Sequence, residues 1–509
     1  MRLNRTWTVL GISLLFASIS IAQENRPPNI VLIVADDLGY NDISLHGNTT
    51  LKTPHIDSIG TGGFRFTRAH ATSAMCSPSR AGFLTGRNQQ RFGFEFIVVP
   101  HGIRAAFDGT LSKDEEGHVF PEIAQEDMVP LNQCGLPSSE VTIAEMLKAQ
   151  GYGTSIFGKW HLGSNGGMHP MSQGFDEYVG FDAAAAKFAA DDDPNVVNAR
   201  ITWDGIDNIS WRSLTTRLFR GKKPFTPDKY MTDVFTDEGV RYIHENKDEP
   251  FFLYMPYNAP HSPLQAPKKF YDRLEHIEDH KTRVYTAMIE SMDHGIGRIL
   301  EALRQNGLQE NTLVIFTSDH GSASYTRIPD RNLPFRGYKS TYYQGGVVVP
   351  FLMQWTGHIE AGGVSDIPVS LLDLFPTIAA AVNAPIQEDR PLDGHDIWPI
   401  IRGEQTETLH EAIVWRSGNY KAIRVGNYRL QIDGTAKATY LYNVIEDIGE
   451  TNNLATEMPA KVAELTKILD RAEQDFIDPA WPSPVYVRIP VDIESEDRSL
   501  DKDFVWFPL

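Results

Sequence analysis

Continuous apolar, β-branched runs identify two segments as strands buried on both faces of a sheet: Asn29–Ala35 (NIVLIVA), bounded by Pro27-Pro28 and Asp36-Asp37, and Thr312–Thr317 (TLVIFT). Phe251–Met255 is a shorter strand candidate of the same kind. Between these runs, Val141–Gln150 and Asp233–Asn246 carry apolar residues at helical spacing. Lys281–Asn306 reads as a long amphipathic helix stopped by Gly307. Strands alternating with helices predict an α/β fold, a large mixed, mainly parallel sheet flanked by helices. From about Glu411 the pattern changes to short strand-like pieces (Ala412–Trp415, Tyr420–Val425, Tyr428–Ile432) joined by Gly/Asn turns, then a helix over Pro459–Phe476. The expected organisation is a large α/β domain over 23–405, a small C-terminal α+β subdomain over 406–478, and an arm over 479–509 lying on the surface.

A chain of 509 residues is too long for one ordinary core, in keeping with a large domain and a smaller one. Its 47 Lys+Arg against 66 Asp+Glu give a formal charge of −19, which argues against a nucleic-acid or anionic-membrane binder working through a basic face. An anionic ligand would need a local site. The two cysteines, Cys76 and Cys134, are too few for a disulfide-stapled scaffold and have no zinc-ligand spacing, though a bridge between them stays open on composition alone. Arg2 and Arg5 precede the apolar run Val9–Ile21, and Ser20-Ile21-Ala22 offers small residues for cleavage, so residues 1–22 read as a signal peptide and the protein as periplasmic or secreted. No other stretch approaches the ~20 consecutive apolar residues of a membrane span, so no membrane partner is expected.

The most informative stretch is Cys76-Ser77-Pro78-Ser79-Arg80-Ala81-Gly82-Phe83-Leu84-Thr85-Gly86-Arg87. Pro78 suits the first turn of a helix, which sets Cys76 at a helix N-terminus with free N–H groups and a positive dipole end. Such an end binds tetrahedral anions and activates a nucleophile, and Arg80 lies one turn on. These residues resemble the signature motif of the type I sulfatases of the alkaline phosphatase superfamily. The resemblance implies an alkaline phosphatase-like fold and conversion of Cys76 to Cα-formylglycine (3-oxoalanine) by a formylglycine-generating enzyme, in place of a disulfide.

Asp36-Asp37 and Asp319-His320 each follow directly on a predicted parallel strand, and C-terminal strand ends share one edge of such a sheet, where ligands bind. Three carboxylates point to a hard divalent cation, Ca2+ ahead of Mg2+. The resemblance implies the same set, Asp36, Asp37, Asp319 and His320 beside residue 76. Asn is common in the family where this chain has His320; an imidazole is a poorer calcium ligand, so His320 is also a candidate to hydrogen-bond substrate or a coordinating carboxylate. Gly158-Lys159-Trp160-His161-Leu162-Gly163 puts a cation and a base on one side of an extended segment. Pro260-His261-Ser262-Pro263 holds a histidine on a stiff loop, and Arg336-Gly337-Tyr338-Lys339 adds a second lysine. All three segments are similar to sulfatase active-site segments and occur in the family order, with the resemblance running over roughly residues 29–455.

The resemblance implies sulfate ester hydrolysis by a hydrated formylglycine at 76, with Lys159, Lys339 and calcium on the sulfate oxygens and Arg80 orienting the diol. His261 would be the acid for the leaving alcohol and His161 the base that resets residue 76. Two long loops, about Arg87–Leu136 and Phe181–Lys229, suit a sulfated carbohydrate substrate, which His169, His101, Arg104 and Arg91 could contact. Two rival readings stand beside it: a phosphomonoesterase or phosphodiesterase of the same superfamily, whose sites commonly hold two transition metals, and a non-catalytic sulfated-glycan-binding protein. The single-cation set with two lysines favours sulfate.

Overall fold

The computed structural model describes residues 26–99, 123, 129–387, 389–493 and 503–509; the expected signal peptide over 1–22, His101 and Arg104 lie outside them. The strands that matter for the site are β1 (Asn29–Asp36), β2 (Phe64–His70), β3 (Gly153–Lys159), β4 (Glu177–Phe181), β5 (Phe251–Pro260), β6 (Thr312–Ser318) and β7 (Val348–Gln354). They stand side by side in the order β2-β7-β6-β1-β5-β3-β4 within a larger mixed sheet. β6, β1, β5, β3 and β4 run parallel to one another. β7 runs against both β6 and β2, so β2 again points the same way as β6.

The continuous apolar runs have the expected cause. β1 is buried at every position, and its side chains alternate between two cores: Val31, Ile33 and Ala35 on one face, Ile30, Leu32 and Val34 on the other. β6 divides in the same way, with Val314 and Phe316 opposite Leu313 and Ile315. Helices α3 (Met231–Glu245) and α4 (His280–Gln305) cover the first face, where Phe235, Ile243, Met288 and Ile296 are buried. Helices α1 (Cys76–Thr85) and α2 (Ile143–Ala149) cover the second; α2 begins with a capping box between Thr142 and Glu145. Gly158 marks a close approach inside the sheet, since a Cβ there would lie 2.0 Å from the Pro256 carbonyl oxygen.

A second, four-stranded antiparallel sheet follows: β8 (Ile413–Ser417), β9 (Tyr420–Val425), β10 (Tyr428–Asp433) and β11 (Ala438–Asn443). One face (Val414, Ile423, Leu430, Leu441) packs on α5 (Pro459–Ala472), burying Leu465 and Leu469. β11 escaped the sequence reading because it lacks the turn-bounded apolar run of its neighbours.

Two expectations change. Phe181–Lys229 is not one open loop: it contains strand Val196–Ala199 paired with Leu264–Pro267, helix Gly205–Ser213, and the short hairpin Leu218–Arg220/Lys223–Phe225 that extends the main sheet beyond β4. Pieces of three or four residues carry too little periodicity to read, and pairing is what stabilises them. The C-terminal tail does more than lie over the surface. Tyr486–Pro490 and Phe504–Pro508 pair antiparallel, and Val487, Val505 and Phe507 join Trp415, Tyr420 and Tyr342 in a buried cluster.

Phe507 is fully buried, with ring centroids 5.7 Å from Tyr342 and 6.1 Å from Tyr420. Phe507→Ala should therefore cost about 3–5 kcal/mol of unfolding free energy in urea titration. A loss under about 1 kcal/mol would show that the tail does not belong to the core.

Candidate active site

Five parallel strand directions and one returning strand bring the chemistry to a single edge. β1 runs into Asp36-Asp37, β6 into Asp319-His320, β5 into His261, and β3 into Lys159 with His161 two residues on. β2 delivers the chain to Cys76, the first residue of α1, and the fully buried α1 ends at Gly86, whose φ of 67° is the left-handed cap glycine favours. Lys339 arrives on the segment before β7, which starts at this edge because it is antiparallel. All nine side chains are gathered there, and two overlapping sets, Asp36/Cys76/Asp319/His320 and Asp36/Asp37/Cys76/His261, have ligand atoms within 4.8 Å of one another.

Cys76 Sγ is the hub. It lies 3.6 Å from Asp36 Oδ1, 3.2 Å from His320 Nε2 and 3.4 Å from Lys339 Nζ. Lys159 Nζ donates to Asp36 Oδ2 at 2.6 Å, and Lys339 Nζ to Asp37 Oδ1 at 2.6 Å. Cys76 and Cys134 are both free thiols, which removes the disulfide alternative; Cys134 faces the Val129 and Pro130 carbonyls. Burial pushes the Cys76 thiol up, but Lys159, Lys339 and His320 outweigh it and hold it well below the usual thiol range. The same field would stabilise an oxyanion at this position.

Arg80 is fully buried, and its donors are engaged: Nε and Nη2 both reach Asp319 Oδ2 at 3.0 and 2.9 Å, and Nη1 reaches the Lys159 carbonyl at 3.1 Å. It thus orients Asp319 and ties β3 to β6. Burial pushes the Asp36 carboxyl up to about 7 against the pull of Lys159, with Asp319 and Cys76 adding to the rise. Asp37 goes the other way: its burial is outweighed by His261, Lys339 and His320, which hold it below the usual carboxylate range.

In each of the three histidines one ring nitrogen faces a backbone carbonyl, which only accepts, so that nitrogen carries a proton. His161 Nε2 donates to Val98 O at 3.0 Å, so its Nδ1 carries a lone pair; that atom is buried and without a well-formed hydrogen bond. Burial lowers the His161 pKa to about 4, with Cys76 pulling it back only in part. His161 is therefore neutral, with a bare nitrogen beside residue 76. His320 Nδ1 donates to Gly321 O at 3.0 Å, leaving Nε2 toward Cys76 and 3.6 Å from both Asp37 Oδ1 and Asp319 Oδ1. Burial lowers its pKa, but Asp319 and Cys76 raise it to about 9. His261 Nδ1 donates to Ser262 O at 2.6 Å, while its Nε2 lies 3.7 Å from Asp37 Oδ2. Its side chain is 13% exposed and that of Lys339 9%, against 0% for Arg80, Lys159 and His320, so these two residues mark the open side of the site.

Some contributors carried no sequence signal. Tyr325 hydroxyl donates to Asp37 Oδ2 at 3.2 Å and lies 3.0 Å from Ser262 Oγ, though nothing near it in sequence marks it. Ser79 Oγ donates to the Asp319 carbonyl at 2.6 Å; it sits inside the cysteine motif, where a second contact to the metal loop could have been sought. Asp37 and His161 hold left-handed backbone, with φ of 64° and 60°, a strain that non-glycine residues sustain where surroundings dictate it. Two residues suggested for substrate contact are otherwise engaged. Arg91 clamps Asp393 through both Nε and Nη2 and also reaches Asp475, and buried His169 accepts from the Met171 N–H.

The family model described as Sulfatase matches residues 28–384. The steryl-sulfatase of Mus musculus is 32% identical over 463 residues, covering 79% of this chain and 69% of that protein. The N-acetylgalactosamine-6-sulfatase of Mus musculus is 31% identical over 415 residues, covering 80% and 72%. The crystal structure of Ps i-CgsB in complex with k-i-k-neocarrahexaose matches with a TM-score of 0.74 and 30% identity, over 90% of this chain and 95% of that one. The chain belongs to the sulfatase family, with its alkaline phosphatase-like fold, and is a sulfuric ester hydrolase.

The sign of the His261–Asp37 coupling yields a test. Burial lowers the His261 pKa, but Asp37 raises it more, so the folded value stands above the ordinary 6.5. The stabilisation is present in full below 6.5 and is lost as pH rises through the folded value. His261→Gln should then lose more unfolding free energy at pH 6 than at pH 9 in urea titrations. Equal losses at both would mean that folding does not raise the His261 pKa.

Proposed function

We propose that this sulfatase is exported and removes sulfate esters from a sulfated carbohydrate or polysaccharide, working with Ca2+ and with Cys76 matured to Cα-formylglycine by a formylglycine-generating enzyme. The observation that carries the reading is the convergence of Asp36, His320 and Lys339 within 3.6 Å of Cys76 Sγ. The donor set fits both groups. Three buried carboxylates suit a hard cation, to be held by Asp36, Asp37, Asp319 and residue 76, with His320 Nε2 as a further ligand or as a donor to the carboxylates. The bare, buried Nδ1 of His161 fits a hydroxyl at position 76, where a thioether or disulfide would leave it without a donor. When present, the hydrated aldehyde supplies a geminal hydroxyl as nucleophile, and calcium supplies a fixed positive charge against the sulfate.

The chain's own residues account for the rest. Sulfate esters resist hydrolysis because anionic oxygens shield sulfur and the leaving alkoxide is poor, so charge must be spread and a proton supplied. Lys159 and Lys339 would bind the sulfate oxygens, and Arg80 would keep Asp319 oriented through its double hydrogen bond. His261, on the open side with a raised pKa, would protonate the departing alcohol through Nε2. His161, neutral at working pH, would take a proton from residue 76 at Nδ1. A carbohydrate substrate is supported by the carrageenan-type oligosaccharide bound to Ps i-CgsB and by the amino-sugar substrate named for the N-acetylgalactosamine-6-sulfatase. The N-terminal pattern of residues 1–22 supports periplasmic or secreted action, and among the described residues no helix is long and apolar enough to cross a membrane.

Sulfate release from a panel of sulfated oligosaccharides, with the desulfated position located by NMR, tests the substrate class. The active enzyme's Cys76 peptide should carry an aldehyde, and Cys76→Ala and exhaustive chelation should each abolish release, with Ca2+ restoring it in the chelated wild type. An intact thiol in fully active enzyme would end the formylglycine reading; aryl sulfates turned over with every glycan refused would end the carbohydrate one. A leaving-group series tests the acid. His261→Ala should lose roughly 10²–10⁴-fold in kcat on an alkyl sulfate and much less on 4-nitrophenyl sulfate, whose leaving group needs no proton. An equal loss on both would assign His261 a role other than proton donation.

A further inference from the structure

The inner face of the C-terminal sheet, which docks on the catalytic sheet, buries two arginines in register. Arg424 on β9 stands directly opposite Arg429 on β10, and they are 3% and 0% exposed. Like charges facing across an antiparallel pair repel, and burial removes the water that would screen them. Arg424 is engaged: Nη1 donates at 2.9 Å to His70 Nε2, whose Nδ1 donates to Val369 O, so this histidine is neutral and adds no negative charge. Arg429 is different. Its guanidinium lies over the Trp415 ring, 4.6 Å from the centroid, and none of its three nitrogens makes a hydrogen bond.

The surroundings do not balance this charge. Glu450 is the nearest acid, with Oε1 3.7 Å from Arg429 Nε and itself without a hydrogen bond, while Oε2 accepts from the Gln344 N–H. Asp433, farther along β10, is engaged by the backbone N–H groups of Thr435, Ala436 and Trp506. Gln431, two residues from Arg429 on the same face, also has an unpartnered, buried Nε2. Two guanidinium groups face each other here, and among the described residues the unused donors of Arg429 and Gln431 outnumber the one unused acceptor, Glu450 Oε1. Water could occupy the donors but would leave the charge buried and uncompensated; a small anion does both.

We propose that the seam between the two sheets holds a monovalent inorganic anion of halide size, bound by Arg429 with Gln431 and the positive field of Arg424. The anion joins the sheets next to the nucleophile's own strand. Trp415, beneath Arg429, donates its Nε1 to the Ala71 carbonyl at 2.8 Å, and Arg424 grips His70. His70 closes β2, and Ala71 follows it toward Cys76. Occupancy should therefore stabilise the segment that delivers residue 76.

The test uses the full chain at constant ionic strength, exchanging sodium gluconate for sodium chloride or bromide. The apparent unfolding midpoint should rise saturably by about 1–3 °C with either halide. Arg429→Met should abolish the rise. A crystal grown in bromide should show an anomalous peak beside the Arg429 guanidinium. No halide-specific rise, an equal rise in Arg429→Met, or a seam holding only water in the bromide crystal would each overturn the proposal. The wild-type titration and the bromide crystal decide it even where the variant does not fold.

Discussion

Asp36, Asp37 and Asp319 are three carboxylates at one edge of a sheet with almost no exposure, and the rest of the site follows from the need to keep them there. Isolated, such charges would not stay buried. Arg80 answers Asp319, Lys159 answers Asp36 and Lys339 answers Asp37, each within hydrogen-bond distance. The positive groups are thus structural before they are chemical. In a chain of charge −19 the enclosure they form matches each carboxylate with a cation, and at its centre an anion at position 76 faces Lys159, Lys339 and His320 at the first turn of α1.

That enclosure depends on parallel strands. Because β6, β1, β5 and β3 run the same way, residues separated by nearly three hundred positions end at one edge, and β7, by returning, starts there. Both faces of this sheet are sealed by core, so the strand ends have little freedom to drift. Strain is confined to the turns that leave the strands, at Asp37 and His161, where side chains must swing inward. The C-terminal sheet supports the edge from outside, through Trp415 on Ala71 and through a tail whose aromatic side chains complete their shared cluster.

Much of this was legible in the sequence. β1 and β6 were readable because strands buried on both faces are apolar throughout, and α4 because its long stripe ends at Gly307. The site was readable because its chemistry occurs in short motifs at strand ends and because those motifs resemble a family. Tyr325 was not readable: its hydroxyl reaches Asp37 across 288 positions, a contact no local pattern encodes. The pairings inside 181–229 and the C-terminal hairpin were likewise invisible, since their strands run only three to five residues and exist through their partners.

The sequence by itself determined the reaction class and the identities of the charged groups, because those depend on residue type and on order along the chain. Only the tertiary structure decided what each group faces. It turned Arg80 onto Asp319, engaged Arg91 and His169 elsewhere, and lowered the His161 pKa while raising that of His261. The reason is that protonation and orientation are set by burial and by neighbours distant in sequence, and those exist only once the sheet has brought its strand ends together.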